Sequence, residues 1–462
     1  MKCRDRIIKY IRDNLLFLVL VSQPILDHLA YFQGGGSTSV AGYIRLIYTI
    51  LIPLYTLIVI KEKKKLLTAL CVIGGAAFLH ILNGFRVGYI NLFADVKYML
   101  LVIHMPVLFF CFKYMYKKDE TIRQLVNGLK INFIIIVLTF FVSYILKSGN
   151  YTYIAYQQGW TGWYLIPNAQ SIIMASLIAF GVYFIMERFK KLFPVPMLAV
   201  IFMYVKNGTK ATYWSIVLVC LGFCCFLVFE YFIKKSTKFP LYNVAMLLLM
   251  AGITVSLYNY SPRMIMDNSN ETAREEEQIQ LEEELLLATD DEDVLIQYID
   301  KEMIRRFGRQ KVIEIYGDNL TAYGLADVRL KKRLFGKLVW EESDFLTKLV
   351  GYEYGNIEYD DQNFDLENDP PAILYYYGYI GVSLYICFIA YFVLRLAKNL
   401  LKSFKEHINL FNFVVLITLV LQLGLAVYSG YLFRRPNVSI YLMVVLLLVY
   451  YRTDSLSRCK RK

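Results

Sequence analysis

The chain has 462 residues, of which 57% are apolar and 19% charged, and its formal net charge is +12. Soluble domains carry nearer a quarter charged residues and a little under half apolar ones. That balance excludes a mostly soluble enzyme and a disordered chain. The positive charge would suit nucleic acid, but its distribution argues otherwise. Residues 261–370 hold 27 acids against 13 bases, which leaves 11 acids against 37 bases elsewhere. One acidic stretch interrupts an apolar chain with basic punctuation. This is the pattern of an all-α polytopic membrane protein, with the lipid bilayer and not nucleic acid as its surroundings.

A helix needs about 20 apolar residues to cross about 30 Å of hydrocarbon. Such runs fall near 14–33, 43–60, 66–83, 96–114, 130–147, 164–186, 193–206, 211–233, 240–260, 371–394, 409–428 and 437–451. The reading is about 12 transmembrane helices in three parts. Residues 1–260 carry helices one to nine, 261–370 form one large and partly helical loop, and 371–462 carry helices ten to twelve and a basic tail. The seventh run opens Phe193-Pro194-Val195-Pro196 and is short, so a broken or tilted helix is expected there. No cleavage pattern opens the chain, and the first run is expected to remain as an anchor.

Alternate connections then fall on opposite sides. One set, which includes both termini, holds 29 Lys/Arg. The other, leaving aside 261–370, holds eight: Arg45, Arg86, Lys97, Lys147, Lys206, Lys210, Arg434 and Arg435. Lys/Arg bias in short loops sets orientation. Both termini are therefore expected in the cytoplasm and the acidic loop outside. The stretch from Tyr151 to Tyr164 is rich in Tyr and Trp and suits an interfacial belt, chiefly as a membrane-surface anchor.

None of the eight cysteines and none of the four histidines lies in 261–370, so that loop has neither a disulfide scaffold nor a histidine base. Cys220, Cys224 and Cys225 lack zinc-site spacing and read as packing. Within the loop, Glu271 to Tyr316 alternates acidic and aliphatic residues and reads as amphipathic helix, with a solvated face as the plainer account. Two basic clusters follow: Arg305, Arg306, Arg309 and Lys311, then Arg329, Lys331, Lys332 and Arg333. They can face anionic headgroups or a diphosphate, or pair with neighbouring acids.

The segment from Asp360 to Asp369 spaces oxygen ligands like a calcium loop, but Leu366 and Ala372 stand where such a loop needs Gly and Glu. Pro370 and Pro371 suit the first turn of the next span, which puts Glu367 and Asp369 at its outer mouth. Helix capping competes there with a catalytic role. Lys206 and Lys210 flank a tight turn, Arg434 and Arg435 lie in another, and Arg86 lies in Asn83-Gly84-Phe85-Arg86. Bases at span ends either line a cavity or snorkel to lipid phosphates. If they converge, they suit one polyanion at the outer surface, and a polyprenyl-diphosphate-linked glycan fits. Its transfer needs a base for an acceptor hydroxyl and fixed positive charge for the departing diphosphate.

Three features carry a family resemblance. Gly208-Thr209-Lys210-Ala211-Thr212 heads a span. Glu367-Asn368-Asp369 precedes Tyr377-Gly378-Tyr379-Ile380-Gly381. A large external loop lies between the ninth and tenth of twelve spans. In these the chain resembles bacterial O-antigen ligase and O-antigen polymerase-like membrane proteins. The resemblance implies a metal-independent glycosyltransferase with no cofactor, moving saccharide from an undecaprenyl-diphosphate-linked glycan to an acceptor glycan at the outer face of the cytoplasmic membrane. It also implies surface-polysaccharide biosynthesis, alongside other polysaccharide-assembly proteins.

Ligases of the family tend to carry a histidine in the external loop. Its absence here points toward a repeat-unit polymerase or cell-wall glycan transferase. Gly378 and Gly381 read first as sites of close helix packing. The expected roles are Glu367 as base with Asp369 beside it, and Arg86, Lys206, Lys210, Arg434 and Arg435 on the diphosphate, assisted by Arg305 or Arg309. A transporter or lipid-glycan flippase is the alternative, since twelve spans suit many carriers. Against it stand the absent internal repeat and the large loop. A receptor whose acidic loop takes a cationic ligand is a third reading.

Overall fold

The structure, a computed structural model, describes residues 2–34, 39–234, 239–287, 299–359, 362–402 and 408–459. Expectations that rested on Leu295, Ile296, Asp360 and Asp361 lie outside those residues. Helix makes up 84% of the described residues. The order is α1 (Lys2–Phe32), α2 (Val40–Val59), α3 (Lys63–Val87), α4 (Leu92–Met115), α5 (Lys118–Ile145), α6 (Pro167–Phe189), α7 (Pro194–Asn207), α8 (Lys210–Lys234) and α9 (Leu241–Ser256). Next come α10 (Pro262–Leu287), α11 (Lys301–Phe307), α12 (Arg309–Tyr316), α13 (Ala322–Ala326), α14 (Val328–Glu342) and α15 (Phe345–Val350). A small antiparallel hairpin, β1 (Glu358–Tyr359) and β2 (Gln362–Asn363), leads to α16 (Asp369–Lys402), α17 (Leu410–Tyr428) and α18 (Pro436–Cys459).

Among the described residues, nine helices are long and apolar enough to cross a membrane: α1 to α6, α8, α16 and α17. At the other three expected positions stand shorter apolar helices, Pro194–Asn207, Leu241–Ser256 and Pro436–Arg452. The chain is an all-α, multi-pass membrane protein. Large apolar side chains stand exposed along the helices, as with Ile58, Phe78 and Leu138, which a water-facing helix would not present in such numbers. Local signals set the ends. Ser39 caps α2 by accepting from the Gly42 amide at 3.3 Å, Asn409 caps α17 through the Asn412 amide at 2.9 Å, and Pro167 opens α6.

The chain divides into two compact units. Unit 1 comprises 1–71, 100–264 and 388–462, and unit 2 comprises 72–99 and 265–387. The boundaries fall inside α3, α4, α10 and α16. In unit 1, α6 packs against α5, α7, α8, α17 and α18. Both α6 and the Pro436–Arg452 part of α18 are largely apolar around their circumference and mostly buried, as interior helices must be.

Unit 2 has its own core, centred on Met303, Val312, Phe335, Ile357, Phe364 and Ala372. Phe335 and Phe364 stack with ring centroids 3.8 Å apart. The described residues of 299–370 in the acidic segment thus form a small helical body, and the described part of 271–287 in α10 is mostly exposed. Helix is found over the described residues of 271–316, as expected, in α10, α11 and α12, and Gly308, at φ +83°, separates α11 from α12. Within the Tyr/Trp stretch, Tyr151 and Tyr156 are exposed, whereas Trp160 and Tyr164 differ from surface anchors in being buried. Trp160 Nε1 donates to Ser143 Oγ at 3.1 Å, which fixes the ring inside the protein.

Candidate functional site

Each unit holds a cluster of buried polar side chains. In unit 1, Asp27 and His28 lie near the end of α1 within an apolar run. Asp27 Oδ1 accepts from Arg45 Nη2 at 2.7 Å and from Asn437 Nδ2 at 3.1 Å. Arg45, in the second turn of α2, also donates to Gln23 Oε1 at 3.1 Å and to the Gln23 carbonyl at 3.2 Å. The side chains of Arg45 and Asp27 are only 9% and 10% exposed. An ion pair so buried gives no stability advantage over packed apolar residues. Between membrane helices it makes the cluster a candidate site.

Around this pair, the His28 ring meets Tyr164 edge-on at 5.1 Å and Trp163 at 6.0 Å. Asn437 opens α18 just after the connection that carries Arg434 and Arg435. Both guanidiniums lie over the Tyr431 ring, at 5.1 and 4.3 Å. Arg434 is buried. Four atoms here are buried with no hydrogen-bond partner among the described residues: Asp27 Oδ2, His28 Nε2, Tyr164 Oη and Arg435 Nε. Burial first, and the Asp27 carboxylate next, push the Tyr164 phenol well above its ordinary value, so it stays neutral.

The turn between α7 and α8 also belongs to unit 1. Gly208 closes α7 at φ +80°, and a Cβ there would collide with Pro262. Thr209 Oγ1 donates to Ser171 Oγ at 2.8 Å, and Asn207 Nδ2 donates to Gln170 Oε1 at 3.1 Å. The threonines of Gly208-Thr209-Lys210-Ala211-Thr212 are buried and hold the turn. Lys206 is exposed and Lys210 half-buried at its flanks.

In unit 2, His80 Nδ1 bonds the Val350 carbonyl at 2.9 Å, and Nε2 bonds Asp95 Oδ2 at 3.0 Å. Carbonyl and carboxylate both accept, so the ring donates from both nitrogens. Asp95 stands in the first turn of α4, where the helix dipole favours a carboxylate, and its Oδ1 accepts from the Tyr354 amide at 2.9 Å. Glu353 is buried beside them. Its Oε1 accepts from the Ile90 and Asn91 amides at 2.8 and 3.0 Å, and its Oε2 has no partner among the described residues. Burial raises the Glu353 carboxyl above its usual range, against the pull of the two amides, and the nearby Asp95 adds to the rise.

The remaining expected residues of unit 2 are mostly engaged. Arg86 donates to Asn83 Oδ1 at 3.0 and 2.8 Å, to Thr347 Oγ1 at 3.1 Å, and pairs with Asp344 at 2.6 Å. Asp344 also caps α15 through the Thr347 amide at 2.7 Å. Arg86 beside it, with that amide, holds the Asp344 carboxyl well below the usual carboxylate range. Glu367 Oε2 meets Arg329 Nε at 2.5 Å. Asp369 is fully buried in the first turn of α16, with Pro370 and Pro371 beside it as the sequence implies.

Gly378 breaks α16 at φ +65°, and a Cβ there would run into the Leu349 carbonyl, so its role is close backbone approach. Arg305 and Arg309 are exposed. Other members of the basic clusters pair with acids: Lys331 with Asp300, and Lys311 with Glu342 at 2.7 Å.

Lys206, Lys210, Arg434 and Arg435 thus belong to unit 1, and Glu367, Asp369, Arg86, Arg305 and Arg309 to unit 2. Sequence reasoning left out Asp27, His28, Arg45, His80, Asp95 and Glu353. The available signal was a charge or imidazole inside an apolar run, as in Asp27-His28-Leu29. Among the described residues, no group of three or more His, Cys, Asp or Glu is placed to hold a metal ion.

The profile of a family described as "O-antigen ligase like membrane protein" matches residues 9–453. No curated protein matches the chain, and no solved structure does.

Proposed function

The chain belongs to the O-antigen ligase-like membrane protein family, a family of glycosyl-transferring enzymes of polysaccharide biosynthesis, and from that premise we propose the reaction it performs. It transfers a saccharide chain from undecaprenyl diphosphate to an acceptor glycan, without a metal, at the outer face of the cytoplasmic membrane. In this reading twelve helices cross the membrane, both termini are cytoplasmic, and the 261–370 segment lies outside as a separate part between the two helical regions. The match over 9–453 carries the reading, because it spans both units and both sides of the acidic segment.

Lys206, Lys210, Arg434 and Arg435 hold the diphosphate. Two cations per connection at two helix junctions suit a ligand that carries charge on two phosphates. Glu367, with Asp369 near it, takes the proton of the acceptor hydroxyl. The freed oxygen attacks the anomeric carbon, and the bond to the diphosphate breaks with its electron pair on the leaving oxygen. Arg329 already pairs with Glu367, and Asp344 already holds Arg86. Arg86 therefore meets phosphate only by exchanging partners, and Arg305 and Arg309 assist from exposed positions.

The test uses the purified chain in lipid nanodiscs with an undecaprenyl-diphosphate-linked oligosaccharide. Wild-type protein should release bare undecaprenyl diphosphate and lengthen or transfer the glycan with chelator present. Glu367→Gln and Lys210→Ala should each lower the rate by about 100-fold or more, the range for loss of a general base or a charge-stabilising group. Full activity in both variants would remove the site assignment. Glycan crossing the bilayer without transfer would instead make the protein a flippase.

A further inference from the structure

We propose that unit 1 contains a subsite for the sugar joined directly to the lipid diphosphate, built from Asp27, His28 and Tyr164. The inference rests on the reading of Arg434 and Arg435 as diphosphate ligands, and adds the group that stands next to that diphosphate.

Three side chains, each at least nine-tenths buried, present polar atoms that no described residue satisfies: Asp27 Oδ2, His28 Nε2 and Tyr164 Oη. A buried polar atom left unpaired costs about 1–3 kcal/mol, so three in one cluster are retained for a ligand rather than for folding. They form one neighbourhood. Asp27 and His28 are consecutive, and the His28 and Tyr164 rings touch edge to face. Asn437, which holds the other Asp27 oxygen, is two residues past Arg435.

The chemistry of the set selects the ligand. A carboxylate oxygen only accepts, so its partner must donate. A phosphate only accepts and would be repelled by Asp27. Neutral Tyr164 and an imidazole nitrogen can donate or accept. A hydroxylated ring answers all three, because each hydroxyl gives one hydrogen and takes another. Trp163, which packs on His28 and on Phe32, adds the apolar edge that the C–H face of a sugar favours. The Arg45 guanidinium fixes the Asp27 carboxylate in place. Arg434 and Arg435, just ahead of Asn437 in the chain, supply the cations for a phosphate. A sugar ring and a diphosphate side by side describe the reducing end of a lipid-linked glycan.

The test is binding of four lipids to the detergent-purified full chain by native mass spectrometry. The probes are undecaprenyl diphosphate and its N-acetylglucosamine, glucose and galactose conjugates. At least one conjugate should bind about tenfold more tightly than the bare lipid, since a site built for hydroxyls discriminates against their loss. Tyr164→Phe removes a hydroxyl with no partner among the described residues and so should fold normally. It should bring that ratio down by about threefold to tenfold and leave bare-lipid binding unchanged. Asp27→Asn should lower that ratio as well, read on the folded protein because the change also costs Arg45 its ion pair.

The subsite is refuted if no conjugate outbinds the bare lipid. It is also refuted if both variants keep the full preference, in which case ordered water satisfies the three atoms. If the bare lipid and the conjugates all fail to bind, the donor assignment falls, and the subsite falls with it. Bare lipid bound without any sugar preference overturns the subsite alone.

Discussion

Arg45→Met is the sharpest test of the buried pair in unit 1. The substitution leaves the Asp27 carboxylate 10% exposed with Asn437 as its remaining donor, and it takes from Gln23 two hydrogen bonds of 3.1 and 3.2 Å. Removing one member of a buried ion pair destabilises by about 3–5 kcal/mol, which is about two to four powers of ten in the folding equilibrium. Asp27→Asn strands the guanidinium instead, although Gln23 still shares it, so its loss should be smaller. The double variant removes both charges and should recover a large part of the sum, leaving a coupling of about 2 kcal/mol or more. The assay is equilibrium unfolding in mixed micelles, read by tryptophan fluorescence across the double-mutant cycle. Single effects below about 1 kcal/mol, or effects that simply add, would mean that the two charges do not share a dry site.

Two further outcomes follow from unit 2. Gly378→Ala places a Cβ at φ +65° against the Leu349 carbonyl and should lower stability by about 2–4 kcal/mol, seen as a lower melting temperature in detergent. A Tm unchanged within error would show that α16 straightens freely at that point. Glu353→Gln should raise stability at neutral pH and flatten its pH dependence. Burial raises the folded carboxyl, so the native state binds the proton more tightly than the unfolded chain. Wild-type stability therefore declines as pH rises from the unfolded carboxyl range through the raised folded value, and then stays at the lower level. A Gln variant with the same slope as wild type over that interval would assign the pH dependence elsewhere.

Much of this protein can be read along the chain. Apolar runs mark its long helices because crossing hydrocarbon demands about 20 consecutive apolar residues, a one-dimensional requirement. The short seventh helix behind its prolines, the Lys206–Lys210 turn and the proline-opened α16 are similarly local. Each depends on a residue and its immediate neighbours. The family resemblance was also within reach, because it rests on turn motifs and on the order of long segments.

Side-chain partnership was out of reach. Arg45 reads as a stray base until packing sets it against Asp27. Glu367 reads as an available carboxylate until α14 brings Arg329 to it, and Arg86 as an available cation until Asp344 arrives from more than 250 residues away. Trp160 and Tyr164 read as lipid anchors, and only the packing of the 146–166 connection encloses them. The reason is physical. Helix formation is decided by backbone hydrogen bonds within a few residues, whereas the partner of a buried charge is decided by rotation and register between helices. Local sequence therefore determined which segments enter the membrane, and tertiary contact alone determined which charges face one another there.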